Sequence, residues 1–149
     1  MPFLSISFHN FRNLTDSTID LLSKEVFFIG KNGQGKSNIL ETLYISAYGS
    51  SFRTKSDSEL IKNGESDYSI KGYYKNELEK TDSITVSYFE NKKKILKNGK
   101  TIHDRKDIVN TIPCVLFCHD DLDFSIGEPE RRRFFIDQTL SMYDLLYID

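Results

Sequence analysis

Gly30-Lys31-Asn32-Gly33-Gln34-Gly35-Lys36-Ser37 is a complete G-x-x-x-x-G-K-[ST] string, and its setting decides how the rest of the chain is read. Before it, Glu25 to Ile29 is apolar on both faces, the pattern of a strand deep in a sheet. After it, Ile39, Leu40, Leu43, Tyr44 and Ala47 recur at helical spacing between Lys36 and Tyr48. Strand, glycine loop and helix follow one another as a phosphate-binding loop requires, so the fold class is α/β of the P-loop NTPase type. Glycines at 30, 33 and 35 let the backbone curl with its N–H groups inward, at the positive end of the helix. In such a nest Lys36 bridges the β- and γ-phosphates. Ser37 offers its hydroxyl to Mg²⁺, which takes phosphate oxygens and water for its other ligands.

The 149 residues suggest about one domain. With 38% hydrophobic and 28% charged residues, 3 Pro and 8 Gly, the chain is of the globular class, not the disordered or collagenous one. Twenty Lys plus Arg against 22 Asp plus Glu give a formal charge of −2, so any contact with nucleic acid must come from a local patch. No apolar run approaches the roughly 20 residues of a membrane helix. The start, Met1-Pro2-Phe3-Leu4-Ser5-Ile6, has neither a secretory nor a transit pattern, so a cytoplasmic protein with no membrane partner is expected. Cys114 and Cys118 share one apolar run, and an extended chain would hold their Cα atoms about 13 Å apart, beyond disulfide reach. They read as reduced core residues.

Outside the loop, Phe3 to Phe8 alternates as a strand with Leu4, Ile6 and Phe8 inward, and Ser17 to Leu22 suggests a second strand. Ser56 to Asn63 reads as a short helix stopped by Gly64. Ser69 to Lys75, Ser83 to Phe89, and Lys93 to Lys97 turning at Asn98-Gly99 into Lys100 to His103 form an antiparallel β-meander, since Asn-Gly between β-prone runs is a strong hairpin signal. Asp104 to Asn110 reads as a helical turn, Val115 to Cys118 as a buried strand and Asp120 to Phe124 as a short helix. From Pro129 the chain is helical to near its end.

A phosphate loop does not by itself name an activity. The guanine-reading N-K-x-D is missing its carboxylate in Asn91-Lys92-Lys93-Lys94, and no D-x-x-G occurs, which argues against a GTPase. An ATPase needs a further acid for Mg²⁺ and water. Leu116-Phe117-Cys118-His119-Asp120 and Leu145-Leu146-Tyr147-Ile148-Asp149 offer one each, although the first also reads as a core strand and the second as a helix tail. Nothing resembles an LSGGQ signature; Leu140-Ser141-Met142-Tyr143-Asp144 lacks the glycines. Lys92, Lys93, Lys94, Lys97 and Lys100, with no acid among them, make the Asn-Gly hairpin a local positive projection. It reads either as a DNA-phosphate contact or as a solvated edge whose lysines block aggregation. Arg131, Arg132 and Arg133 fall in the first turns of a helix, where the dipole disfavours cations. Pairing of Glu128 with Arg132 and of Arg133 with Asp137 would offset that, the other reading being an interdomain or DNA contact. His9, His103 and His119 are scattered and read as neither ligand nor base.

Together these motifs resemble the RecF family of bacterial recombination mediators, relatives of the Rad50 and SMC heads. The resemblance runs from Leu4 to about Ser141. It is carried by Asn10-Phe11-Arg12-Asn13, the loop with its extension Asn38-Ile39-Leu40-Glu41, Ser51-Phe52-Arg53-Thr54, Glu59-Leu60-Ile61, and Gly127-Glu128-Pro129-Glu130-Arg131-Arg132-Arg133-Phe134-Phe135-Ile136-Asp137. One string departs: His119-Asp120-Asp121-Leu122 stands where the family has a Pro-Glu-Asp-Leu type sequence. The resemblance implies an ABC-type ATPase head lobe, with a mixed sheet around the P-loop helix, that binds ATP and Mg²⁺. It adds Lys31, Asn32, Gln34, Asn38, Arg12 and Asn13 to the nucleotide site and keeps Asp120 beside Ser37 as a metal-side residue. It further implies a nucleotide-controlled homodimer acting on single-stranded DNA and single-strand/duplex junctions in gap repair, replication and the SOS response, with other recombination mediator proteins, in the nucleoid. Family members run to more than twice this length, so residues 1–149 read as a truncated ATP-binding lobe without the helical lobe and the C-terminal catalytic motifs. Turnover is then expected of the full-length dimer. Two other readings stay open: a P-loop kinase acting on a small molecule, with the arginines near 131 as its lid, and an inactive nucleotide-binding remnant.

Overall fold

The computed structural model describes residues 3–104, 106–109, 111–117 and 129–141. The chain divides into two compact units, Met1–Ile112 and Pro113–Asp149. The first is built on a six-stranded sheet of β1 (Phe3–His9), β2 (Ser17–Asp20), β3 (Tyr68–Lys75), β4 (Thr81–Phe89), β5 (Lys92–Lys97) and β6 (Lys100–Thr101), in the order β2-β1-β3-β4-β5-β6. From β3 to β6 this is the meander that the turn signals predict, and Asn98 and Gly99 close its last hairpin with φ of 50° and 78°, the left-handed pair that a tight hairpin turn demands. Every described pairing is antiparallel, where the family resemblance implies a mixed sheet.

The inner face of the sheet carries Phe3, Ile6 and Phe8 from β1, Tyr68, Ile70 and Tyr74 from β3, and Ile84 and Val86 from β4, all buried. Simple alternation puts Leu4 on this face, but the register shifts between Phe3 and Ser5 and the inward place passes to Phe3. Gly72 pairs with Ile6 on one side and Ile84 on the other. A Cβ there would lie 3.2 Å from Phe3 Cε1, so the absent side chain leaves room for the ring.

Helix α1 (Lys36–Tyr48) packs against β1, β3 and β4. It starts at Gly35 and stops at Gly49, both left-handed, with φ of 89° and 70°. Its buried side differs from the apolar stripe that spacing suggests: Glu41, Thr42 and Ser46 are buried with Tyr44, Ile45, Ala47 and Tyr48, while Leu40 is exposed. The two hydroxyls donate back along the helix, Thr42 to the Ile39 carbonyl and Ser46 to the Thr42 carbonyl, so they enter the core satisfied. A 3₁₀ turn at Asp57–Leu60 stands where the short helix is predicted, and α2 (Lys106–Val109) is the expected helical turn.

Two expected strands do not form. Glu25 to Ile29 is not a strand; Phe27 is 77% and Ile29 94% exposed. Val115 to Phe117 is not a strand either, with Val115 and Phe117 both exposed; Cys118 lies outside the described residues. A strand apolar on both faces forms only with hydrogen-bonding neighbours and cover on each side, and among the described residues none is paired with either run. Burial pushes the Cys114 thiol above its ordinary range.

In the second unit α3 (Pro129–Ser141) begins at its proline, with Glu130 in the first turn, as predicted. The proposed helix over Asp120 to Phe124 and the chain beyond Ser141 lie outside the described residues. Among the described residues no helix is long and apolar enough to cross a membrane.

Candidate nucleotide-binding site

Three segments converge on the glycine loop: the corner after β1, the start of α1 and the turn after α1. The corner is Asn10-Phe11-Arg12-Asn13, in which Asn10 and Arg12 have left-handed φ of 49° and 48°. Phe11 anchors it, fully buried and edge-on to Tyr68 at 5.6 Å between ring centroids. Backbone hydrogen bonds from Arg12 to the Leu60 carbonyl and from Lys62 to the Asn10 carbonyl, both 2.8 Å, hold the corner against the segment after the 3₁₀ turn. Asp16 accepts the Asn10 backbone N–H at 2.9 Å and contacts His9 Nδ1; these partners hold its carboxyl below the usual range.

From this corner two side chains reach the site. Asn13 donates to the Gly33 carbonyl at 2.7 Å and accepts from Asn38 Nδ2 at 2.7 Å, tying the loop to the first turn of α1. Arg12 reaches Glu41 of α1, its Nε 2.6 Å from Oε2 and its Nη2 2.9 Å from Oε1, a bidentate pair. The Glu41 side chain has no solvent exposure. Ser51 donates to its Oε1 at 2.5 Å, and Arg53 Nη1 stands 3.6 Å from its Oε2.

The loop has the curl of an anion nest. Gly33 and Gly35 take φ of 80° and 89°, and a Cβ on Gly35 would lie 2.5 Å from Leu14 Cδ2 and 3.0 Å from Asn13 Oδ1. Only glycine fits there. Lys31 donates its backbone N–H to Gln34 Oε1 at 2.7 Å. Lys36 Nζ is folded back onto the carbonyls of Gly30 and Lys31, at 2.8 and 2.7 Å, so the cation sits over the loop's own mouth. Gly30, Lys31, Asn32, Gly33, Gln34 and Ser37 are exposed, which leaves the concavity open to a ligand. An exposed hydroxyl beside a curled backbone with a lysine over its mouth suits a magnesium-bound triphosphate.

Gly30 to Ser37, Asn38 and Asn13 are therefore brought together, and Arg12 buttresses them through Glu41. Asp120 lies outside the described residues. Residue patterns assign no part to Glu41 or Arg53. Their signal was a charge on the helix side that packs inward, five residues after Lys36, and a charged pair that no local spacing joins.

The lysine hairpin does not act as one patch. Lys93 and Lys97 sit on the inner face, where Lys93 Nζ meets both oxygens of Asp57 at 2.9 Å and Lys97 Nζ donates to Thr111 Oγ1 at 3.1 Å. Lys92 and Lys94, opposite Phe89 and Ser87, are on the outer face, and Lys100 is exposed at the end of the hairpin. Arg132 and Arg133 are exposed on α3, and no ion pair joins Arg133 to Asp137 among the described residues; Glu128 lies outside them.

A family model described as "AAA domain" matches residues 5–138. A DNA replication and repair protein RecF from Treponema pallidum (strain Nichols) is 51% identical over 142 residues, covering 94% of this chain and 40% of the relative. Another, from Ruminiclostridium cellulolyticum, is 41% identical over 133 residues, 89% of this chain and 36% of the relative. A solved structure described as "Structure of the recombination mediator protein RecF-ATP in RecFOR pathway" superposes with a TM-score of 0.90 at 30% identity, over 98% of this chain and 39% of that one. The chain thus spans about two-fifths of the length of the relatives it matches.

Proposed function

We propose, from the premise that this chain belongs to the AAA domain family and resembles the N-terminal part of the RecF proteins, that it is the ATP-binding lobe of a protein of DNA replication and recombinational repair. The observation that carries this reading is the preformed loop: left-handed Gly33 and Gly35, Lys36 over the mouth and the N-terminus of α1 at its base. A bound triphosphate supplies the charge that the nest and Lys36 are shaped to receive, and Ser37 is the residue that would hold its Mg²⁺. The chain's own part is to bind and orient. Asn13 fixes the loop at Gly33, Asn38 ties that asparagine to the helix, and Glu41 with Arg12 keeps the corner in register.

In this reading nucleotide state controls pairing of two heads on DNA, at single-strand/duplex junctions and with other recombination mediators, and Asp120 adds a carboxylate to Ser37 on the metal side. A solved relative described as the recombination mediator protein RecF-ATP in the RecFOR pathway supports the nucleotide and the mediator partners of this reading. ATP turnover belongs to the whole protein as a dimer, in the cytoplasm and on the nucleoid. Among the lysines of the hairpin this reading keeps Lys92, Lys94 and Lys100 for DNA phosphates, which the engagement of Lys93 and Lys97 within the fold supports.

The test is titration of Mg-ATP into the chain and into Lys36→Ala. Saturable binding by the first and its loss in the second is the expected result; no binding by the unsubstituted chain would sink the proposal and leave the remnant reading. Transfer of labelled phosphate to a small acceptor would favour the kinase.

A further inference from the structure

Lys93 differs from its neighbours Lys92 and Lys94 in facing inward, where its Nζ lies 2.9 Å from both oxygens of Asp57, thirty-six positions away in sequence. The two side chains are 28% and 24% exposed, so salt screens this pair less than a surface one. Asp57 opens the 3₁₀ turn and also accepts the Tyr68 hydroxyl at 3.3 Å. The turn holds itself weakly. Its N-cap, Ser56, makes no side-chain cap hydrogen bond, and the backbone bonds from Glu59 to the Ser56 carbonyl and from Ile61 to the Ser58 carbonyl are long, 3.2 and 3.3 Å. Thr54 adds a local tie to the Glu59 carboxylate. Where the turn sits against the sheet therefore depends on partners outside it, and Asp57 carries the tie to the β4–β5 hairpin.

Two routes lead from Asp57 to the corner that steadies the glycine loop. Through the turn, the Leu60 carbonyl accepts the Arg12 backbone N–H at 2.8 Å and the Glu59 carbonyl receives Arg12 Nη1 at 3.4 Å. Through the core, Tyr68 meets the Phe11 ring edge-on and stacks on Tyr88, the residue opposite Lys93 across the β4–β5 ladder. Both routes end within two residues of Asn13, whose side chain holds the Gly33 carbonyl at 2.7 Å. We propose that Lys93 is a positioning residue of the nucleotide site, acting through Asp57 to fix the 3₁₀ turn and with it the Arg12-Asn13 corner. Without the ammonium, Asp57 keeps the Tyr68 hydroxyl and is otherwise drawn to water, taking the turn with it. A corner that spends part of its time displaced binds nucleotide more weakly in proportion. This inference rests on the nucleotide-binding reading of the loop and deepens it by joining the hairpin to that site.

The test titrates fluorescently labelled ATP with Mg²⁺ into the unsubstituted full chain, Lys93→Ala, Lys93→Arg, Asp57→Asn, the double variant Lys93→Ala/Asp57→Asn, and Lys71→Ala, a control on an exposed lysine of β3. Titrations are run below the melting temperature of every variant, and hydrogen exchange of the Arg12 backbone amide is measured in parallel without nucleotide. Lys93→Ala and Asp57→Asn should each weaken ATP binding about fivefold, the lower end of couplings between sites. The double variant should bind no more weakly than either, because the two residues act as one pair. Lys93→Arg should bind as the unsubstituted chain does, and the Arg12 amide should exchange faster in Lys93→Ala than in Lys71→Ala. Lys93→Gln, which keeps the length of the side chain, carries the same expectation if the truncation does not fold. A pair that only stabilises the fold would lower the melting temperature and leave both readouts unchanged. If folded Lys93→Ala binds ATP as the unsubstituted chain does, if Arg12 exchange is the same in both lysine variants, or if the double variant shows the sum of the two losses, this inference is overturned while the loop reading stands. If the unsubstituted chain binds no ATP, both fall together.

Discussion

Tyr74 and Glu41 show two ways in which a polar group enters this core. Glu41 is surrounded by donors from Arg12 and Ser51, so its burial is compensated. Tyr74 is buried with no partner for its hydroxyl among the described residues. An unsatisfied buried hydroxyl costs about 1–3 kcal/mol, and Tyr74→Phe should therefore raise stability by about 1 kcal/mol at neutral pH, read as a higher melting temperature. The pH dependence has a definite sign. Burial, reinforced by the nearby Asp82, pushes the Tyr74 hydroxyl up to about 12 in the folded chain, against about 10 when unfolded. Its contribution is complete below the unfolded value and is lost as pH rises from there through the folded one. Tyr74→Phe should flatten this alkaline loss. Tyr68, also raised by burial and next by Asp57, retains a similar dependence. An unchanged alkaline limb in Tyr74→Phe would show that the hydroxyl is hydrated.

Element by element, the hairpin of β5 and β6 shows why charge counted along a sequence overstates a patch. Strand residues alternate sides, so consecutive lysines are dealt to opposite faces of the sheet. Lys93 and Lys97 go to the side of α1 and the 3₁₀ turn and find Asp57 and Thr111 there. If the outer face meets DNA, Lys94→Ala should make the dependence of log affinity on log salt shallower by about 1, and Lys93→Ala should leave that slope unchanged. Equal slopes for the two variants would remove the outer face from consideration. The helix α1 makes the same point in another geometry. Its periodicity locates the element, but the side turned inward includes Glu41, because Arg12 awaits it, and leaves Leu40 in solvent.

Over the whole molecule, the core of the first unit is the inner sheet face under α1, while the apolar run leading into the loop contributes little to it. Ile84, fully buried, should cost about 2–5 kcal/mol when truncated to Ala, whereas Phe27→Ala should change the stability of the chain by less than about 0.5 kcal/mol. Denaturant unfolding separates the two, and equal losses would mean that Phe27 is packed in solution. What the sequence determined by itself is what local chemistry dictates. The loop glycines, the capped helix, the Asn98-Gly99 hairpin and the proline at the head of α3 depend on backbone freedom and short spacing. What only the tertiary structure decided is everything that requires a partner distant in the chain. Glu25 to Ile29 has the composition of a central strand, yet strand formation depends on neighbours, and none of the described residues pairs with it. Likewise Arg12 holds Glu41, because the two lie twenty-nine positions apart in sequence and close to a 2.6 Å contact only when the sheet and helix have packed.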